Sequence, residues 1–98
     1  SNSLFNSLNQ INLAPEEVKV MLFFTKKEFV PNKEILALFE EKGKTRDFAI
    51  KRKNKTIEKI NKKFKRVFRK KIILKEKDEL DSRLTNYILN NKIKLFKK

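Results

Sequence analysis

KRKNKTIEKINKKFKRVFRKK, residues 51–71, decides how the rest of the chain is read. Positive charge crowds this stretch, yet Ile57, Ile60, Phe64, Val67 and Phe68 recur in it at intervals of three and four. At about 100° per residue these five side chains fall on one side of a helix, while Lys55, Lys59, Lys62 and Arg66 project from the other. A disordered cationic tail has no reason to keep five large apolar residues in phase. The stretch therefore reads as a helix docked on a core with its cationic face outward. Its start is less regular. Thr45 can cap a helix beginning at Arg46, and Ile50 is in phase with Ile57, but Lys53 would point into the apolar stripe, which is costly unless its ammonium snorkels to water. The expectation is a break or looser turn over residues 53–55 and a firm helix over residues 56–68.

Charge is concentrated there. Residues 1–43 hold five Lys against six Glu, residues 44–71 hold fourteen Lys and Arg against Asp47 and Glu58, and residues 72–98 hold seven against four. Most of the net charge of +14 thus sits in one segment, the electrostatic footprint of a polyanion partner. With 98 residues, 39% of them hydrophobic and nine of them Phe, the chain has enough apolar side chain for one small folded domain and too much for a disordered one. It contains no Cys and no His, which removes disulfides, thiolate and imidazole catalysis and nearly all zinc chemistry. The longest apolar runs, residues 20–24 and 35–39, are far below the roughly 20 residues that a bilayer span needs, and no secretory leader is recognised. A cytoplasmic, nucleoid-associated location is expected. The opening Ser1-Asn2, without Met, leads to the expectation of a domain cut from a longer protein.

Outward from the basic segment, Leu4, Phe5, Leu8 and Ile11 are spaced as one stripe of a short helix that either pads the core or meets a second copy as a homodimer contact. In LAPEEVKVMLFF, Pro15 suits a first helical turn, Glu16 and Glu17 suit the positive end of the helix dipole, and Val18, Met21, Leu22 and Thr25 line one face. In EFVPNKEILALFEEKG, Val30 before Pro31 should be extended and Asn32 is a good N-cap. Ile35, Leu36, Leu38 and Phe39 form the apolar face of a second helix, ending at the lone glycine, Gly43. Residues 70–77 and 84–90 read as two strands of an antiparallel hairpin with a polar tip between them. The tail, with Ile93, Leu95 and Phe96, is a third strand or a terminal helical turn.

Three helices followed by a short hairpin is the layout of the winged helix, a helix-turn-helix variant. The motifs carry the likeness further. LAPEEVKVMLFF followed by EFVPNKEILALF resembles the opening of the winged helices in response-regulator effector domains, and TIEKINKKFKR resembles their recognition helix, with Ile57, Ile60 and Phe64 at the apolar positions. The hairpin departs from that family in lacking a glycine turn. IILKEKDELDSRLTNYIL instead resembles the wing of multiple-antibiotic-resistance-type regulators, where an Asp-x-Arg tip sets the Arg beside the minor groove; Asp81-Ser82-Arg83 matches that tip, with Asp81 placed to orient Arg83. The likeness implies an α+β winged helix, with a C-terminal β-hairpin wing on a three-helix core over residues 13–98 and a short N-terminal helical extension over residues 1–12.

Such a fold would bind double-stranded DNA, as part of a transcriptional regulator or as a plasmid or phage replication initiator module. Lys51, Arg52, Asn54, Lys55, Thr56 and Lys59, on the early turns of the recognition helix, are candidates for base edges. Asn54 could pair with adenine or simply cap the helix, and Arg52 could pair with guanine. Lys62, Lys63, Arg66 and Arg69, on the later turns, are candidates for phosphates. An RNA- or ribosome-binding basic module is the competing reading. A helix lying on an anionic membrane is disfavoured, because the apolar stripes of residues 13–40 and 72–89 offer an internal partner. The pairs Glu16-Glu17 and Glu40-Glu41 and the acids of the tip suit dipole complementation and solubility better than a catalytic or metal site, so neither an enzyme nor a cofactor is expected. Most of the Phe fall in core phase, which argues against a stacking surface for single strands.

Overall fold

A computed structural model describes residues 11–93. Among them are three α-helices and a three-stranded antiparallel sheet, an α+β domain in which α1 (Pro15–Leu22), β1 (Phe29–Pro31), α2 (Asn32–Leu38), α3 (Arg46–Phe68), β2 (Ile73–Lys77) and β3 (Thr85–Leu89) follow one another. The sheet order is β1-β3-β2, so the hairpin predicted from sequence forms and takes a third strand from the connection between α1 and α2. That third strand is the short FVP stretch of residues 29–31. Of the tail, Ile93 is buried and residues 94–98 lie outside the described residues. Leu4, Phe5 and Leu8 lie outside them too, whereas Ile11 packs into the same core as Ile93.

The spine of the domain is α3, 23 residues long and therefore roughly 34 Å from end to end. Thr45 caps it as expected, its hydroxyl accepting from the Phe48 N–H at 3.1 Å. The helix then runs on unbroken through residues 53–55, so the expected break does not exist. Lys53 does enter the apolar face, where its ammonium finds two partners, Asn32 Oδ1 at 2.5 Å and the Tyr87 hydroxyl at 3.0 Å, and lies 5.2 Å from the centre of the Tyr87 ring. A buried cation that is hydrogen-bonded costs far less than a bare one, and the helix need not bend to avoid it. Burial holds the Lys53 pKa below its ordinary value and pushes that of the Tyr87 phenol up.

Ile57, Ile60 and Phe64 are buried as read from their spacing, with Phe68 half-buried and stacked on Phe64. Val67 is not part of that stripe and stays 40% exposed. Beside the stripe, Asn61 fastens α3 to β2: its carbonyl accepts from the Ile72 and Ile73 N–H groups at 3.0 and 2.9 Å, and its amide donates to the Ile73 carbonyl at 3.0 Å. One side chain thus satisfies three backbone groups at the point where the sheet leaves the helix.

Three smaller expectations change. The buried face of α1 is Glu17, Val20 and Met21, continued by Phe24 in the turn that follows, and Leu22 is 57% exposed. The face is rotated because Glu17 turns inward, accepting from the Ala14 N–H and from Lys63. Asn32 does not cap α2. It is the first helical residue, after Pro31, and its side chain serves Lys53 instead. α2 ends at Leu38, short of Gly43, which lies in the following turn with φ 84°, a conformation that glycine adopts without strain.

Candidate nucleic-acid interface

The packing of α3 divides its charges into two sets. The interior and the α1 side of the helix use up part of the cationic inventory. Lys53 is buried. The Arg52 guanidinium pairs with Glu16 and with Glu41, the latter at 3.0 Å, and sits against the rings of Phe39 and Phe48. Lys63 pairs with the buried Glu17 carboxylate at 2.7 Å and also donates to the Asn12 carbonyl at 2.8 Å. Thr56 is buried. Arg52 and Thr56 therefore leave the set of base-edge candidates and Lys63 leaves the phosphate set. The first and last are occupied by the protein's own acids and Thr56 has no route to a ligand.

The other set faces water. Lys51, Asn54, Lys55, Lys59, Lys62, Arg66 and Arg69 are all exposed, and so is Lys65, which spacing alone did not single out. Lys51 has only a loose contact to Asp47, 3.9 Å away with both side chains largely in solvent, which contributes little. Among the described residues none of Lys55, Lys59, Lys62, Lys65, Arg66 or Arg69 is in an ion pair. Asp47 and Glu58 are the acids of α3. The exposed side of an unbroken helix packed on the core is thus a cationic ridge, most of whose charges are in no ion pair among the described residues. Because α3 starts at Arg46 instead of near Thr56, Lys51 and Lys55 come from its second and third turns, and Lys59 sits near its middle. Arg69 closes the helix in the left-handed conformation at φ 64°.

At the far end of the hairpin, Asp81 and Arg83 meet as the sequence suggested. The Arg83 Nε and Nη2 donate to the two carboxylate oxygens of Asp81, each at 3.0 Å, and the Arg83 backbone N–H donates to the same carboxylate. Those bonds hold the Asp81 pKa below the ordinary carboxylate range and raise that of Arg83. Asp78 is lowered as well, by hydrogen bonds from the Asn86 side chain and the Leu80 N–H. The tip therefore favours the ionised forms of Asp78 and Asp81, and its acids outnumber its single arginine. Among the described residues no helix is long and apolar enough to cross a membrane, and no three acidic side chains cluster to hold a metal ion.

Compared with known proteins, the chain matches no family model, no curated protein and no solved structure.

Proposed function

We propose that this domain is a winged helix that binds double-stranded DNA, with the exposed ridge of α3 in the major groove and the β2–β3 hairpin alongside. The observation that carries the reading is the separation just described. The helix is anchored by Ile57, Ile60 and Phe64, while on its opposite side Lys55, Lys59, Lys62, Lys65, Arg66 and Arg69 are in no ion pair among the described residues. A duplex offers closely spaced phosphates, and each lysine that replaces a condensed counterion adds affinity without regard to sequence. Lys51, Asn54, Lys55 and Lys59 are assigned to base edges, and Lys62, Arg66 and Arg69 to phosphates. The order of elements, three helices and then an antiparallel hairpin, supports the same reading. Such a module suits a transcriptional regulator or a replication initiator equally, both acting at the nucleoid.

Titration of a labelled duplex by fluorescence anisotropy over a range of salt concentrations tests the proposal. The log–log slope of affinity on salt is expected to be on the order of −4 to −6, for about five to seven neutralised phosphates. A slope near zero rejects it. Competition with duplex RNA separates the alternative: if RNA displaces the DNA at lower concentration, the ridge reads A-form geometry and hydroxyl groups instead.

A further inference from the structure

Between the inner face of the hairpin and the adjoining flank of α3 runs an open groove of about 440 Å³. Lys62 and Lys65 reach it from the helix, Lys71 from the connection after the helix, and Lys75 from β2. We propose that this groove is a phosphodiester seat, so that the hairpin grips the DNA backbone with the inner side of its strand and not with its tip. The inference rests on the DNA-binding reading above and assigns a part of the contact that the sequence did not reveal.

Strand register decides which charges reach the groove. Lys75 lies opposite Tyr87 in the β2–β3 ladder, so it shares the face on which the Tyr87 ring packs over Lys53. Glu76, one residue on, belongs to the other face. The strand therefore delivers its lysine and withholds its acid. Asn61 fixes the frame, since its three hydrogen bonds to the backbone at Ile72 and Ile73 tie the start of β2 to α3 and so set the two walls from which the lysines rise. Among the described residues none of these four lysines is in an ion pair, although Glu58 stands at the groove. Like charges held together by a rigid frame repel one another, and an anion between them relieves that cost. A groove open along its length admits a continuous strand of phosphodiesters.

The hairpin tip has the opposite character. Asp78, Glu79 and Asp81 stand against Arg83, whose guanidinium already has a carboxylate on two of its nitrogens. Brought up to a duplex, the tip meets phosphates with acids. This is why the inner strand face, one layer closer to α3, is the surface assigned to the backbone.

The test compares Lys71→Ala/Lys75→Ala with Arg83→Ala in the full chain, using a labelled duplex titrated over a range of salt concentrations. Removing two phosphate contacts is expected to make the salt slope shallower by about 1.8 and to cut affinity about 30-fold at 0.15 M salt, equally on all sequences. Arg83→Ala is expected to stay within about twofold of wild type, since its charge is already balanced. Lys71→Arg/Lys75→Arg keeps the charge and should bind like wild type, which guards against a loss through misfolding. If the double alanine variant binds as the wild type does while the wild-type slope remains steep, the groove is not a backbone seat and the DNA-binding reading survives. Loss of affinity from Arg83→Ala alone would likewise move the contact to the tip. A wild-type chain with no affinity for duplex DNA overturns both.

Discussion

Lys53→Ala is expected to destabilise the domain by about 2–4 kcal/mol, whereas Lys53→Met should cost no more than half as much. The alanine change removes a buried stem and leaves a cavity. It also strips the hydroxyl of Tyr87, a residue 1% exposed, of the ammonium that donates to it. Asn32 is half-buried and can turn to water, so its lost bond weighs less. Methionine refills the volume and eliminates a buried charge whose desolvation offsets much of what its bonds contribute. Urea unfolding with an unchanged m-value measures both. A cost under about 0.5 kcal/mol for the alanine variant would mean that the three-way contact joining α2, α3 and β3 is not a structural tie.

Burial adds a pH signature with a definite sign. Because the folded-state pKa of Lys53 lies below the ordinary 10.5, the unfolded chain binds more protons in the interval between the two values. Stability must therefore rise with pH in that interval and be lost again as pH falls through the folded pKa. Tyr87 acts oppositely, its raised pKa lowering stability above 10.0. As pH rises toward 10.5 the wild type should accordingly gain on Lys53→Met; a flat difference would show the ammonium to be well hydrated.

The same lysine marks where reading the sequence stops working. Ile57, Ile60 and Phe64 announce their side of α3 because helical phase is a local property, and Thr45 announces its start because a cap acts over three residues. The hairpin follows from two nearby β-rich runs. Lys53 could not be placed in this way. Its partners Asn32 and Tyr87 lie 21 and 34 residues away, so the spacing shows the cost of burying the ammonium but not what offsets it. Avoiding that cost led to a helix start ten residues late, at Thr56 instead of Arg46. Arg52 and Lys63 fail for the same reason, their acids Glu16 and Glu17 standing 36 and 46 residues away on α1. Glu17 in turn rotated the buried face of α1, since a glutamate reads as solvent-facing until a cation is brought to it. The three-residue strand β1 carries too short a pattern to be seen, and the groove lysines belong to different elements that only the fold unites.

From this division between engaged and free cations comes the second large expected effect. Lys55→Ala/Lys59→Ala/Arg66→Ala should weaken binding to a specific duplex site by at least about a hundredfold at 0.15 M salt, the lost Arg66 phosphate contact contributing about fivefold through the counterions no longer released and the two base-edge lysines about 1–3 kcal/mol each. The same variant should unfold at an equal or higher temperature than wild type. None of the three side chains is in an ion pair among the described residues, and removing them relieves repulsion along the helix. Lys63→Ala should behave in the reverse way. It leaves the buried Glu17 carboxylate with the Ala14 N–H alone, at a cost of about 1–3 kcal/mol, and changes DNA affinity little while the chain is folded. Thermal melting and anisotropy titration on the same two variants give four numbers with opposed expectations. Should Lys63→Ala weaken DNA binding as strongly as the triple variant without loss of stability, the Glu17 pair would be an easily opened contact and not a clip. The boundary drawn between the inward and outward charges of α3 would then be in the wrong place.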